Sequence, residues 1–210
     1  MLYKETVEST TLELLNSLQS QPYLKGFYLV GGTALALRIG HRKSVDLDLF
    51  SNFSFDVVQL LENLTADYNF NLFFSANNTI KGSIDSIKVD LLSHRYPLIA
   101  ELVVEEKIEM LSLQDIIAMK LNAISTSGQR VKDFIDIFYL LRKFSIEQMI
   151  GYYKEKYTQY NEVSVLKSLV YFDDVDFNDW PEITTEPRLK WQVVKDELEK
   201  SVKKYLKQKL

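Results

Sequence analysis

Asp46 and Asp48 stand two residues apart in an otherwise mostly apolar run, residues 45–50, and a third aspartate, Asp90, interrupts the apolar run 87–92. In an extended chain, side chains at i and i+2 project to the same face. Asp46 and Asp48 would then share a face opposite Val45, Leu47 and Leu49. Two carboxylates on one face repel and resist desolvation unless a cation joins them. Two-metal phosphoryl transfer needs such a pair to hold cations about 3.5–4 Å apart. The same spacing also suits two aspartates on a solvent-facing sheet. Asp90 shares its expected face with Lys88 and Leu92. If that run lies beside the Asp46–Asp48 run, three carboxylates converge, and Asp90 could complete a metal site and help deprotonate an attacking hydroxyl. Alone, Asp90 reads as an edge-strand charge that opposes aggregation.

Upstream lies Gly31-Gly32-Thr33. Glycines let backbone approach a ligand, and the first turn of a helix presents unpaired N–H groups to anions. Thr33 could add its hydroxyl to a phosphate or simply cap the helix. Arg42 offers a guanidinium that binds phosphate in two-pronged fashion, or that pairs internally and fixes its turn. His41, a lone histidine in a turn, reads as solvent-exposed rather than as a ligand, and His94 carries no assigned role. Lys120 sits four residues after Ile116 at the border of an apolar stripe, a place where lysines usually snorkel to water. Lys132 and Asp136 are spaced to form a surface pair, with Asp133 on the same solvated face or orienting a cation.

The elements that must position these residues follow from periodicity. Residues 3–20 read as a helix, 27–30 as a short strand, 33–39 as a short helix stopped by Gly40, and 45–50 as a strand. Residues 55–66 read as a helix. Runs 70–74, 79–84 and 87–92, separated by turns at Asn77-Asn78 and near Asp85-Ser86, read as an antiparallel meander, with 101–108 as a further edge strand. From Ser112 onward the pattern is helical, over 113–124, 131–141, 146–157, 163–171 and 189–206, with an acidic, proline-bearing loop at 173–187. The lysines at 190, 195, 200, 203, 204, 207 and 209 mark a solvated final helix that could also touch a nucleic-acid backbone. The fold class expected is α+β: a mixed sheet flanked by helices in residues 1–110, then an all-α domain in 111–210.

The chain has 210 residues and no cysteine, so disulfides, thiolate metal sites and thiol nucleophiles are excluded. Its formal net charge of −4 gives no overall basic surface for nucleic acid. No apolar run approaches membrane-spanning length and the N-terminus does not read as a signal peptide, so a cytoplasmic protein without membrane contact is expected.

Gly-Gly-Thr, a short helix, Asp-x-Asp and a later strand aspartate together resemble the DNA-polymerase-β-like nucleotidyltransferase superfamily. The longer strings GGTALALRIGHRKSVDLDLF, residues 31–50, and LSLQDIIAMKLNAISTSGQRVKDFIDIFYLL, residues 111–141, are similar to the AbiEii/AbiGii toxin family within it. The resemblance covers about residues 27–141, and the last third of the chain carries no matching motif. The wider superfamily usually opens with Gly-Ser; Thr33 keeps the hydroxyl. The resemblance implies transfer of a nucleoside monophosphate from an NTP, with release of pyrophosphate, by a toxin of a toxin–antitoxin or phage-defence pair. It implies two Mg²⁺ ions, or Mn²⁺, on Asp46, Asp48 and Asp90, with Asp90 also the base. Gly31, Gly32, Thr33 and Arg42 would hold nucleotide. Lys120 would reach the triphosphate from a helical domain that closes the cleft, where Lys132 and Asp133 would also sit. The acceptor implied is RNA, with tRNA the best single guess, and a cognate antitoxin is the implied partner. Two other readings use the same fold: a non-catalytic nucleotide- or partner-binding module, and a kinase that transfers the γ-phosphate. Base preference, acceptor, antitoxin, oligomeric state and the role of the lysine-rich final helix are not written in the sequence.

Overall fold

The computed structural model describes residues 1–159 and 161–209. They form two compact units, the first made of residues 1–97 and 101–111, the second of 98–100 and 112–210. The chain thus passes from the first unit to the second, back, and over again within fifteen residues.

The first unit is a seven-stranded mixed sheet with helices. Its strands are β1 (Tyr28–Val30), β2 (Leu47–Ser51), β3 (Phe70–Ala76), β4 (Thr79–Ile84), β5 (Ile87–Ser93), β6 (Val103–Glu105) and β7 (Ile108–Met110). Their order across the sheet is β3-β4-β5-β2-β1-β7-β6. Helices α1 (Ser9–Ser20), α2 (Gly31–Ile39) and α3 (Val57–Asp67) accompany it. The alternation read in residues 45–50 holds from Leu47 onward; Val45, expected on the face of Leu47 and Leu49, is exposed. Leu47 and Leu49 are fully buried while Asp48 and Phe50 are half-buried between them. The strand itself, however, begins at Leu47, so Asp46 lies just outside it. The meander is antiparallel throughout: β3 pairs with β4 and β4 with β5. Asp56 caps α3 by accepting from the backbone N–H of Val58 and Gln59, which satisfies donors the helix cannot pair itself.

Two elements differ from the sequence reading. The expected helix over 3–20 is a 3-10 turn at Lys4–Thr6 followed by α1. The edge strand expected over 101–108 is present as β6, but it is shorter and belongs to a tight hairpin with β7, which runs parallel to β1 one strand in from the edge. Its turn is made by Glu106 and Lys107, both at positive φ. That conformation is uncommon outside glycine and asparagine, so the sequence carries no turn signal there.

The second unit is helical: α4 (Leu113–Thr126), α5 (Val131–Leu140), α6 (Ile146–Lys156), α7 (Glu162–Ser168) and α8 (Trp191–Gln208). Within α5 every residue except Lys132 is buried, the pattern of a helix enclosed on all sides. The loop over 173–187 is pinned by aromatic rings, with Phe177 and Trp180 meeting Trp191 edge-on at centroid distances of 5.4 and 6.4 Å. Among the described residues no helix is long and apolar enough to cross a membrane.

Candidate active site

Strand β2 runs parallel to β5, and Asp48 stands in register with Asp90. On the other side of β2, Asp48 is in register with Val30, the last residue of β1. On the other side of β5, Asp90 is opposite Lys81 of β4. Residues in register on neighbouring strands project to one face. A row therefore crosses four strands: Lys81, Asp90, Asp48, and then Val30 leading into Gly31 at the start of α2.

The glycines give this row its closeness. Gly31 has φ +70° and a Cβ there would collide with the Asp48 carboxylate; a Cβ on Gly32 would collide with the Arg42 guanidinium. Both glycines thus make room for side chains of this chain at the first turn of α2. The N-cap residue, Val30, has no side chain that can cap that turn, which leaves its backbone N–H groups suited to an anion. The Thr33 hydroxyl is used internally. It donates to the carbonyl of Asp46 and lies 2.9 Å from Ser44 Oγ. Thr33 is buried, so what it can offer a phosphate is its N–H. Arg42 is also buried and donates to the Lys43 carbonyl at 2.9 Å, which favours the turn-fixing reading over a guanidinium reaching into solvent. His41 is buried rather than exposed.

Asp90 is 6% exposed, and its Oδ1 is buried with no hydrogen-bond partner. Its Oδ2 lies 3.5 Å from Lys81 Nζ and 4.0 Å from Lys88 Nζ. A carboxylate oxygen left unpaired in the interior is costly unless a cation or donor meets it. Asp90 beside Asp48 therefore fits a cation. The three-carboxylate set is not gathered: among the described residues no group of three or more His, Asp or Glu side chains is disposed to hold a metal ion. Asp46, outside the strand, instead borders a cavity of about 630 Å³ together with Glu8, Glu13, Tyr68, Asp85 and Lys88.

Lys120, Lys132 and Asp133 belong to the second unit. Lys120 neither snorkels nor stands as a lone cation. It is 6% exposed, with its ammonium 2.5 Å from Asp133 Oδ1 and 2.7 Å from Asp136 Oδ2. The ammonium that the resemblance implies for a triphosphate is here the centre of a buried ion cluster joining α4 to α5. The expected Lys132–Asp136 surface pair does not form: Asp136 is fully buried against Lys120, and Lys132 reaches Asp179 at 2.7 Å. Asp133 is likewise buried, not part of a solvated face.

Lys81 was not among the residues singled out from the sequence. The signal was present. Ile84 and Ile87 pair across the two-residue turn at Asp85 and Ser86. Counting three residues back and three forward from that pair puts Lys81 opposite Asp90.

Comparison with known proteins shows the family to which the chain belongs. A family model described as "Nucleotidyl transferase AbiEii toxin, Type IV TA system" matches residues 13–100 and 72–208. An uncharacterized protein of Aquifex aeolicus (strain VF5) is 32% identical over 203 residues, 92% of this chain and 95% of that one. Among solved structures, MenT4, a nucleotidyltransferase toxin from Mycobacterium tuberculosis H37Rv, is similar with a TM-score of 0.62 at 15% identity, over 92% of this chain and 80% of that one. JHP933 from Helicobacter pylori is similar with a TM-score of 0.56 at 16% identity, over 97% and 96%. At these identities the two structures speak for the fold.

Proposed function

Because the chain belongs to the AbiEii nucleotidyltransferase toxin family and is a nucleotidyltransferase, we propose that it transfers a nucleoside monophosphate from an NTP to RNA, tRNA being the first to test, with Asp48 and Asp90 at the reacting centre. The observation that carries this is the buried, unpartnered Oδ1 of Asp90 in register with Asp48.

In this reading the uncapped first turn of α2 receives the phosphates of the NTP through the N–H groups of Gly32 and Thr33. Asp48, held against Gly31, and Asp90 would hold the divalent cations. Such ions, Mg²⁺ or Mn²⁺, would supply acidification of the attacking hydroxyl and charge neutralisation at the leaving pyrophosphate. Asp90 would accept the proton of the acceptor hydroxyl as its oxygen attacks the α-phosphorus and the bond to pyrophosphate breaks. The buried wall formed by Leu47, Leu49, Val89 and Leu91 fixes both carboxylates on rigid strands, which keeps the cost of reorganisation low. By family, a cognate antitoxin is the proposed partner.

The test is incubation with each α-³²P-labelled NTP, Mg²⁺ and either tRNA or total protein. Label is expected on RNA, and Asp48→Asn or Asp90→Asn should lower its rate by at least about a hundredfold, as loss of a transition-state charge contact does. Labelling that survives Asp48→Asn would sink this assignment. Label transferred from γ-³²P but not from α-³²P NTP would make the protein a kinase.

A further inference from the structure

The row across the sheet has two ends of the same sign. At one end stands the first turn of α2, whose N–H groups carry partial positive charge. At the other stand two ammonium groups. Lys81 lies opposite Asp90 in the β4–β5 ladder, and Lys88 lies two residues before Asp90 on β5, so all three share a face. Both lysines approach the same oxygen, Asp90 Oδ2, at 3.5 and 4.0 Å. These distances exceed a hydrogen bond, and the two side chains are 43% and 51% exposed. Two exposed ammonium groups thus attend one carboxylate beyond hydrogen-bonding distance. They do so in an acidic unit: residues 1–97 and 101–111 contain nine Lys and Arg against fourteen Asp and Glu. Local positive charge in such a setting marks a place for an anion.

In-line displacement at phosphorus puts the attacking and leaving oxygens on opposite sides of the reacting atom. With the leaving phosphates at α2, the acceptor approaches from the Asp90 end. Lys81, on β4, stands about 14 Å from the α2 end of the row, three strand spacings away, and Lys88, on β5, about 10 Å, two spacings away. We propose that Lys81, assisted by Lys88, is a phosphate-binding site for the acceptor, and that it takes the backbone phosphate of a nucleic acid next to the attacking hydroxyl. The inference rests on Asp48 and Asp90 being the reacting centre. It selects a polynucleotide over a protein hydroxyl as acceptor, because only the former brings a phosphate to that end. Lys81 is the principal contact. Lys88 also borders the cavity lined by Glu8, Glu13 and Asp85, which draws part of its charge away.

The experiment compares the wild type with Lys81→Gln, Lys88→Gln, the double variant and Lys81→Arg; Lys25→Gln, an exposed lysine of the same unit, is the control. Two quantities are read: KM for NTP and for RNA in the transfer reaction, and binding of a fluorescein-labelled single-stranded RNA 12-mer by anisotropy with no NTP present. The double variant should raise both KM for RNA and the Kd of the 12-mer about tenfold, a loss of two charge contacts. The slope of log Kd against log salt should shrink by roughly 1.4, about 0.7 per phosphate contact on a single strand. KM for NTP should stay within about twofold, Lys81→Arg should keep wild-type RNA binding, and Lys25→Gln should change nothing. A rise in KM for NTP with unchanged RNA binding would assign the lysines to the triphosphate and overturn the acceptor site, as would no change in either. If the wild type labels protein and not RNA, and the 12-mer does not bind, the acceptor site fails while the transferase reading stands. If the 12-mer binds through these lysines but Asp48→Asn keeps full transfer, the phosphate site stands and the reacting centre was misassigned.

Discussion

Asp115 meets three kinds of donor at once. Lys156 Nζ lies 2.6 Å from its Oδ1, the Ser112 hydroxyl donates at 2.6 Å to its Oδ2, and the backbone N–H of Ile99 donates at 3.1 Å. Asp115 and Lys156 are both sealed from solvent. Removing one member of such a pair leaves a buried charge without its partner, which costs about 3–5 kcal/mol. Lys156→Met should therefore lower the unfolding free energy of the second unit by that amount, read from its urea transition, and Lys156→Met with Asp115→Leu should recover much of it. Both tryptophans, Trp180 and Trp191, lie in that unit, so their fluorescence reports the transition. A loss below about 1 kcal/mol would mean that water reaches the pair. At this scale the sequence was readable for Asp48 and Asp90, where period-two alternation fixes which way a side chain points. Lys120 was less so. Its partners are Asp133 and Asp136 on the following helix, and a single helix's pattern does not say what it packs against. The clue lay in α5, whose run of Phe134, Ile135, Ile137, Phe138 and Leu140 leaves no polar face on which the two aspartates could be solvated.

Among the elements, β3 stands out as one edge of the sheet and carries no charge. Leu72, Phe73 and Phe74 are 41, 59 and 53% exposed, and the ladder to β4 is irregular between Leu72 and Phe74. Uncharged apolar edges are templates for pairing with other chains, and the irregularity at Phe73 is the one break in this edge. Phe73→Lys should reduce concentration-dependent light scattering while changing stability by no more than about 0.5 kcal/mol, as exposed substitutions do. Unchanged scattering would show that association uses another surface. The meander that ends in β3 was legible from alternation and its turn residues. The β6–β7 hairpin was not, because Glu106 and Lys107 hold positive φ through the ladder on either side rather than through their own preference. The sequence pattern also starts α2 late, at Thr33, because two glycines resemble a loop, whereas Asp48 and Arg42 need the space they leave.

Over the whole chain, the shift from mixed to helical composition near residue 110 was readable from periodicity, and the two compact units divide at Leu111. What periodicity could not show is that three residues, 98–100, belong with the helices although eleven residues of sheet follow them. They join the helical unit through backbone donors, which leave no mark on side-chain pattern. Ile99 and Ala100 both point their N–H groups at Asp115. A fragment covering residues 112–210 should therefore be less stable than one covering 98–210, by about 1–3 kcal/mol for the unmet carboxylate. Equal urea midpoints for the two fragments would show that solvent replaces these donors without loss.

That short segment also constrains how relatives can trade parts. A genetic crossover placed at the visible change in composition would give the helices of one parent a foreign filling for Asp115. A crossover before residue 98 would carry the segment along, but also the strand that lies parallel to β1 in the sheet. Neither cut yields two self-sufficient halves. The two units are thus expected to be inherited together, and chimeras assembled at residue 111 should work only when both parents present backbone donors at the same depth beneath α4.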